Sequence, residues 1–337
     1  MPIDVVILGA GVVGLSTAVN VQSILPNAKV TIVADKFDQE TTSDGAAGIF
    51  RPNLELTPSK SSGQARKWLQ GSFDWFDQIW QSEEGQEAGV IRVSGYQLMN
   101  KKVSLPIHRH MDYRFSVLSS KELQRLPIGK IYKYGWWYDT LMVECRRYLP
   151  WLMKRFRKNG GYVQNQNITS LSEIPVSDVT VNCLGWGSRQ LFGDKDMFPV
   201  RGHTLRVSAP WVKQFYVLDN GDNFIYPGQD DVILGVTREE GKTDLDYNSE
   251  AFDKIRGICQ QVLPSLKHAP EVRRWVGIRP HRHDIRLEQE TVKVNGRTIQ
   301  IVHNYGHGAN GVCFSWGTAL DAARLATAKV KVNKSRL

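Results

Sequence analysis

The chain has 337 residues, of which 41% are hydrophobic and 23% charged, which are ordinary values for a folded protein of about two domains. It contains no apolar run near the ~20 residues that span a bilayer, no signal-peptide pattern and no zinc-ligand spacing, and its scattered cysteines suit a reducing compartment. The net charge of +9 is spread along the chain without a nucleic-acid-binding motif, so we expect neither a nucleic-acid nor a membrane partner.

The first predicted unit is a strand, a helix and a second strand. The apolar run at 4–8 predicts a buried parallel strand, and Gly9, Gly11 and Gly14 follow it in the spacing G-x-G-x-x-G. This spacing suits a tight turn, close approach of backbone N–H groups to a pyrophosphate and close packing of the next helix. Asp35 ends the second strand, where an acid can bind ribose hydroxyls. The unit predicts dinucleotide binding.

The middle of the chain alternates between predicted helices and strands. In chain order we expect a helix over 63–82, short strands between 95 and 118, a helix over 148–158, a strand over 178–183 and period-two strands between 200 and 236. The strand over 178–183 resembles one that returns to the first sheet, whereas the later strands predict a separate antiparallel sheet. The predicted fold class is α/β, a Rossmann-like domain with a second α+β domain on a mostly antiparallel sheet.

The C-terminal third predicts a second cofactor contact. After a helix near 249–263 come a strand over 298–303, a glycine-rich loop over 304–311 and a last helix over 316–330. A loop at a helix N-terminus presents N–H groups and the positive end of the helix dipole. A flavin gains negative charge on reduction and a nicotinamide does not, so this loop favours FAD over NAD.

Six segments resemble the D-amino-acid oxidase and D-aspartate oxidase family of FAD-dependent enzymes, namely 9–14, 41–48, 181–185, 198–202, 277–280 and 303–308. The resemblance covers essentially the whole chain and is nearer to the D-aspartate branch, on segments 149–152, 187–191, 198–202 and 237–238. It implies an FAD-binding domain of residues 1–50, 140–195 and 275–337 and a substrate domain of residues 51–139 and 196–274.

The resemblance also implies a set of FAD-binding residues. They are Gly9, Ala10, Gly11, Val12, Val13, Gly14, Asp35, Lys36, Thr41, Thr42, Ser43, Gly48, Ile49, Ile168, Gly308, Ala309, Asn310, Gly311, Val312 and Cys313. No metal is expected, because the histidine pairs at 108/110 and 281/283 lack a third ligand and are predicted in exposed turns.

The implied reaction is oxidative deamination of an acidic D-amino acid, with D-aspartate first and D-glutamate second, to a 2-oxo acid, ammonia and hydrogen peroxide, with O2 as co-substrate. A flavin takes a hydride without a protein base, so the protein must orient the substrate and no acid/base residue is expected. Arg279 is expected to grip the α-carboxylate through a bidentate fork. For the side-chain carboxylate Arg238 is the first candidate and Arg51 the second.

Two positions depart from the family pattern. Phe224 stands where the family has a tyrosine that helps to hold the substrate, and Tyr226, on the same strand face, belongs either to the site or to the core. Ala309 stands where glycine or serine is usual, and only its carbonyl would be needed to accept from the substrate amine. His307 is expected to have a structural role.

Two alternatives remain open at this point. The first is a broad oxidase for neutral D-amino acids, glycine or sarcosine, and the second is a cofactor-binding protein without turnover, which Phe224 and the positive charge would support. The last residues, Ser335-Arg336-Leu337, are a conservative variant of the peroxisomal address S-K-L, so we expect the peroxisomal matrix and its import receptor as a partner. The oligomeric state is not predicted.

Overall fold

The structure is a computed structural model, and it describes residues 3–55, 62–219, 221 and 223–334. Strands and helices alternate through this part of the chain. The strands are β1 (Asp4–Leu8), β2 (Lys29–Ala34), β3 (Val90–Met99), β4 (Arg114–Val117), β5 (Tyr134–Val143), β6 (Tyr162–Asn165), β7 (Val179–Asn182), β8 (Phe198–Val207), β9 (Gln214–Leu218), β10 (Asn223–Pro227), β11 (Val232–Gly235), β12 (Glu239–Glu240), β13 (Glu271–Val294) and β14 (Arg297–His307). The helices are α1 (Val12–Ile24), α2 (Ser62–Trp80), α3 (Gly85–Ala88), α4 (Ser120–Gln124), α5 (Cys145–Lys158), α6 (Gly187–Leu191), α7 (Ser249–Val262) and α8 (Gly311–Lys334).

The predicted strand–helix–strand unit at the start of the chain is confirmed. β1 lies between β2 and β7 and runs parallel to both. α1 is buried on nearly all sides, because it packs on the sheet and against α5 and α8. A Cβ atom at Gly14 would collide with the carbonyl oxygen of Gly9, so the glycine allows the helix to approach the strand as closely as it does.

The sheet is continuous and has a parallel part and an antiparallel part. Its order is β4-β5-β3-β9-β10-β11-β8-β13-β14-β7-β1-β2-β6, with β12 paired to β8. From β14 to β6 every pairing is parallel, which is the arrangement of a dinucleotide-binding domain. From β4 to β14 the pairings are antiparallel apart from β3 with β9. The predicted fold class is confirmed. The prediction of a separate antiparallel sheet was wrong, because β13 pairs with both β8 and β14, and β14 pairs with β7 of the parallel part.

β13 joins the two parts of the sheet. Its first half pairs with β8 and its second half with β14, with a register shift between His281 and Arg286. The predicted domain boundaries at 139/140 and 274/275 fall inside β5 and β13; the division into domains stays a prediction. No helix among the described residues is both long and apolar enough to cross a membrane.

The sequence analysis was wrong about one histidine of each pair, whereas His110 and His283 are exposed as predicted. His108 and His281 are buried, with 1% and 5% of their surfaces exposed. The Nδ1 atom of His108 lies 2.8 Å from a carboxylate oxygen of Asp112, and His281 stacks on Phe198 within the sheet. Each imidazole is thus accommodated in the interior by a partner that the i, i+2 spacing does not reveal.

Two predicted boundaries near the C-terminus were also wrong. β14 continues through His307, and α8 begins at Gly311 rather than at 316. The glycine-rich segment predicted as one loop is therefore the end of a strand followed by a single 3₁₀ turn at 308–310. The strand extends because β13 pairs with it up to His307, which is a long-range contact.

Candidate active site

One cavity of about 560 Å³ opens where the parallel strands end. The residues after β1, β2, β6, β7 and β14 form one side, and residues of β8, β10 and β13 form the other. Ligands of open α/β folds bind in this crevice at the carboxyl ends of the strands. Every residue expected to bind FAD or substrate lines this cavity except Gly14. Gly14 instead packs against the carbonyl group of Gly9, as described above.

The turn after β1 leaves backbone donors facing the cavity. Gly9 has a φ of 100°, a left-handed conformation that favours glycine, and a Cβ there would lie 2.6 Å from the carbonyl oxygen of Cys183. No side chain caps α1 at Gly11, and no acid occupies its first turn. The N–H of Val12 donates to the hydroxyl of Ser43 at 3.0 Å, which joins this turn to the next segment. The other N–H groups at the start of α1 and the helix dipole remain available to a pyrophosphate.

The segment 41–49 is anchored by residues that the sequence analysis missed. Asp44 is completely buried, and a carboxylate oxygen of it accepts a hydrogen bond of 2.5 Å from Arg273 on β13. Arg146 of α5 lies 3.8 Å from the same carboxylate. An aspartate inside the family-like segment was the available signal, but the partner arginine lies more than two hundred residues away along the chain.

The adenosine end of the cavity lies at the ends of β2 and β6. Asp35 and Lys36 are exposed there, and Ile168 lines the opposite wall. An exposed carboxylate at the end of β2 can accept hydrogen bonds from ribose hydroxyls. The described residues contain no group of three or more histidine, cysteine, aspartate or glutamate side chains that could hold a metal ion.

The second glycine-rich segment brings the N-terminus of α8 to the same cavity. The 3₁₀ turn at Gly308–Asn310 leads directly into α8, which has no acid in its first turn. The buried ring of His307 lies with its Nε2 atom 3.0 Å from the Thr318 hydroxyl, and burial lowers its pKa to about 3. His307 is therefore neutral and helps to hold the segment in place.

Arg279 is an enclosed cation on the substrate side of the cavity. Its guanidinium lies over Gly202, where a Cβ would collide with both terminal nitrogens, and it donates to the carbonyl oxygen of Thr237 at 3.3 Å. Burial and, after it, the positive charge of Arg238 together lower the pKa of Arg279 to about 10. Two neighbouring cations that disfavour each other's charge form a site suited to an anion.

Phe224 and Tyr226 form one wall between the cations. Their rings stack with centroids 4.1 Å apart and an interplanar angle of 8°, as expected for residues on one face of a strand. Tyr226 lines the cavity and forms a hydrogen bond with Arg51. Tyr226 therefore belongs both to the core and to the site, since it is buried and also lines the cavity.

These features define a class of protein. The parallel half supplies a dinucleotide cradle at two helix N-termini, and the antiparallel half places three arginines, Arg51, Arg238 and Arg279, on the same cavity. The arrangement is that of an oxidoreductase that holds a dinucleotide cofactor beside an anionic substrate.

A family model described as "FAD dependent oxidoreductase" matches residues 4–325, and the chain belongs to that family. The cofactor is accordingly FAD. Bare backbone donors at α1, the carboxylate of Asp35 and the acid-free start of α8 fit its pyrophosphate, ribose and flavin portions respectively.

Several known proteins are similar to the chain over almost its whole length. The D-aspartate oxidase of Homo sapiens is 41% identical, covering 95% of this chain and 94% of its own. The D-amino acid oxidase of Dugesia ryukyuensis is 30% identical, covering 95% and 96%. The crystal structure of glycine oxidase from Geobacillus kaustophilus superposes with a TM-score of 0.79 at 17% identity, covering 97% of this chain and 95% of its own. This last similarity concerns the fold alone.

Proposed function

We propose that the protein oxidises acidic D-amino acids, D-aspartate first and D-glutamate second, to the 2-oxo acid, ammonia and hydrogen peroxide. The observation that carries the proposal is the set of three arginines on one cavity beside the cofactor cradle. A neutral amino acid offers one carboxylate, which a single guanidinium can bind. Three cations suit a substrate with two carboxylates, and the similarity to a D-aspartate oxidase supports the same substrate class.

Bound FAD supplies the two-electron acceptor, and O2 serves as the final oxidant. The task of the chain is to bind and orient the substrate. Arg279 is assigned to the α-carboxylate, because its enclosed planar fork fixes two oxygens at once. Arg238 and Arg51, which line the cavity, are assigned to the second carboxylate, and the carbonyl of Ala309, another lining residue, is assigned to accept from the amine.

No protein base is part of the proposal. His307 is the imidazole on the cavity wall, and its low pKa and its Thr318 contact suit a structural role. A proton acceptor is not needed when the substrate reacts with its amine neutral and its Cα–H directed at the flavin.

The test is peroxide release by the holoenzyme with D-aspartate, D-glutamate, D-alanine and L-aspartate. We expect the highest kcat/KM with D-aspartate and no turnover of L-aspartate. A preference for D-alanine would assign the protein to the neutral branch. If none of these substrates bleaches the flavin under anaerobic conditions, the protein binds the cofactor without turnover.

We also propose that the protein resides in the peroxisomal matrix and is bound by the import receptor through Ser335-Arg336-Leu337. These three residues lie outside the described residues. Deleting them should leave FAD binding and turnover unchanged and move the protein to the cytosol, because the receptor reads the free C-terminus. Imaging of a tagged chain checks this, with the tag at the N-terminus. Continued peroxisomal import of the shortened chain would contradict the proposal.

A further inference from the structure

Arg51 is a cation in the cavity wall whose charge is not balanced by a described carboxylate. Its Nε atom is buried and has no hydrogen-bond partner, while the residue lines the cavity and keeps part of its surface open. The described groups that act on its charge most strongly are the hydroxyls of Tyr226 and Tyr138. Enclosing a charge without a counter-ion is unfavourable unless a ligand supplies the opposite charge.

The backbone around Arg51 is held on both sides. The N–H of Phe50 donates to the carbonyl oxygen of Leu141 in β5 at 2.7 Å. The amide side chain of Asn310 accepts from the N–H of Asn53 at 3.1 Å and donates to its carbonyl oxygen at 2.7 Å. Arg51 is thus fixed between the substrate side of the sheet and the second cofactor segment. A cation positioned before the ligand arrives loses little entropy on binding.

The guanidinium of Arg51 is also packed closely against neighbouring residues. It lies against Gly221, where a Cβ would collide with a terminal nitrogen of Arg51, and it interacts with Tyr226 on another side. Burial raises the pKa of Tyr226 and of Tyr138, so both phenols stay neutral and leave the positive charge uncompensated. The stack with Phe224 fixes the ring of Tyr226.

Arg238 is a further cation of the same cavity. Its charge lowers the pKa of Arg279, and it also acts on Tyr226. Arg51 acts on Tyr226 more strongly and forms a hydrogen bond with it. Arg51 and Arg238 therefore both contribute positive charge near Tyr226.

We infer that Arg51 binds the second carboxylate of the substrate directly and helps to distinguish acidic from neutral D-amino acids, with Tyr226 as its positioning residue. The inference rests on the proposed function and deepens it. Arg51 thereby joins Arg238, the first candidate from the sequence, so that two cations serve the second carboxylate.

The experiment compares kcat/KM for D-aspartate and D-asparagine, which have nearly the same shape and differ in side-chain charge. Arg51→Gln should lower kcat/KM for D-aspartate by roughly ten- to a hundredfold and change that for D-asparagine less than about threefold. The loss should lie mainly in KM, because the contact is made equally in the bound substrate and in the transition state. Arg51→Lys should recover only part of the loss, since an ammonium lacks the planar fork.

Matched variants separate Arg51 from its neighbours. Arg238→Gln should also lower kcat/KM more for D-aspartate than for D-asparagine, because its charge serves the same carboxylate. Asp222 follows Gly221 in the chain and lies outside the described residues, so Asp222→Asn tests whether it balances Arg51; we expect an unchanged ratio. Tyr226→Phe should weaken the binding of succinate to the oxidised holoenzyme, followed by flavin absorbance, without changing the binding of acetate.

The outcomes distinguish the inference from the proposed function. Equal losses on D-aspartate and D-asparagine in Arg51→Gln would make Arg51 a structural residue, even if the native enzyme prefers D-aspartate. A shift of the ratio in Arg238→Gln together with an unchanged ratio in Arg51→Gln would leave Arg238 as the cation of the second carboxylate and overturn the inference. A native preference for D-asparagine would overturn the proposed function itself. If Arg51→Gln retains no FAD, the ratio in Arg51→Lys decides, because that variant keeps the charge.

Discussion

The two sides of the cavity recognise their ligands by different means. The cofactor side, at the ends of parallel strands, presents backbone N–H groups and helix N-termini and carries few charged side chains. The substrate side, on antiparallel strands, presents guanidinium groups seated on glycines and aromatic rings. Backbone recognition depends on conformation and on the absence of side chains, whereas side-chain recognition depends on the identity of single residues.

The largest effect is expected on the cofactor side. Gly11→Val places a side chain where the pyrophosphate approaches and within reach of the Ser43 hydroxyl, which a Cβ alone would meet at 3.0 Å. We expect the purified variant to contain almost no FAD, as measured by the ratio of absorbance at 450 nm to that at 280 nm. Gly257→Ala is the matched control, because a Cβ there meets nothing within 4 Å. A Gly11→Val protein with a full complement of FAD would contradict the assignment of this turn.

The next effect concerns Arg279. Arg279→Ala should lower kcat/KM for every D-amino acid by roughly one to two orders of magnitude or more, since a charge-assisted contact contributes ~1.5–3 kcal/mol. The flavin content should stay unchanged, because the cofactor side does not depend on this fork. Arg274→Ala is the control on the same strand, where the guanidinium pairs with Glu271 outside the cavity. If Arg279→Ala retains its turnover, Arg279 does not bind the α-carboxylate of the substrate.

A smaller effect is expected in the pH dependence of carboxylate binding. The pKa of Arg279 is lowered to about 10, so the charge is present below that pH and is lost as the pH rises through it. Succinate, which stays ionised over this range, should therefore bind less tightly above about pH 10. Arg238→Gln should move this decline to higher pH, because it removes the positive charge that helps to lower the pKa. An unmoved decline would show that the two cations are not coupled.

The smallest effect concerns His307 and stability in acid. The folded state holds its pKa at about 3 and the ordinary value is 6.5, so between these values the unfolded state binds a proton that the folded state does not. The free energy of unfolding should therefore fall as the pH drops from about 6.5. His307→Gln keeps a group that can contact Thr318 and removes the titration, so its melting temperature should vary less between pH 6 and pH 4. An identical slope in both proteins would contradict this account.

The difference between the two sides also explains what the sequence could predict. The extent of β1, the end of β2, the tight turn at Gly9 and the close packing at Gly14 followed from local patterns, because each depends on neighbours in the chain. Asp44 with Arg273 was missed because the pair joins distant segments. β5, β9 and most of β13 were missed because their pairing partners, rather than their own patterns, determine them. On the substrate side Arg279 was predicted through its motif, whereas the relation of Tyr226 to Arg51 required the cross-sheet packing.

The continuity of β13 has a thermodynamic consequence. The first half of β13 pairs with β8 and contains Arg273, which binds Asp44, and Arg279, which lines the cavity. Its second half pairs with β14. Neither part of the sheet can therefore open without breaking hydrogen bonds of β13. A ligand that binds only the folded state stabilises it by about 2.7 kcal/mol at a hundred times its dissociation constant. We therefore expect bound FAD to slow amide hydrogen exchange in the antiparallel strands as well as in the parallel ones, and we expect holoenzyme and apoprotein each to melt in one transition.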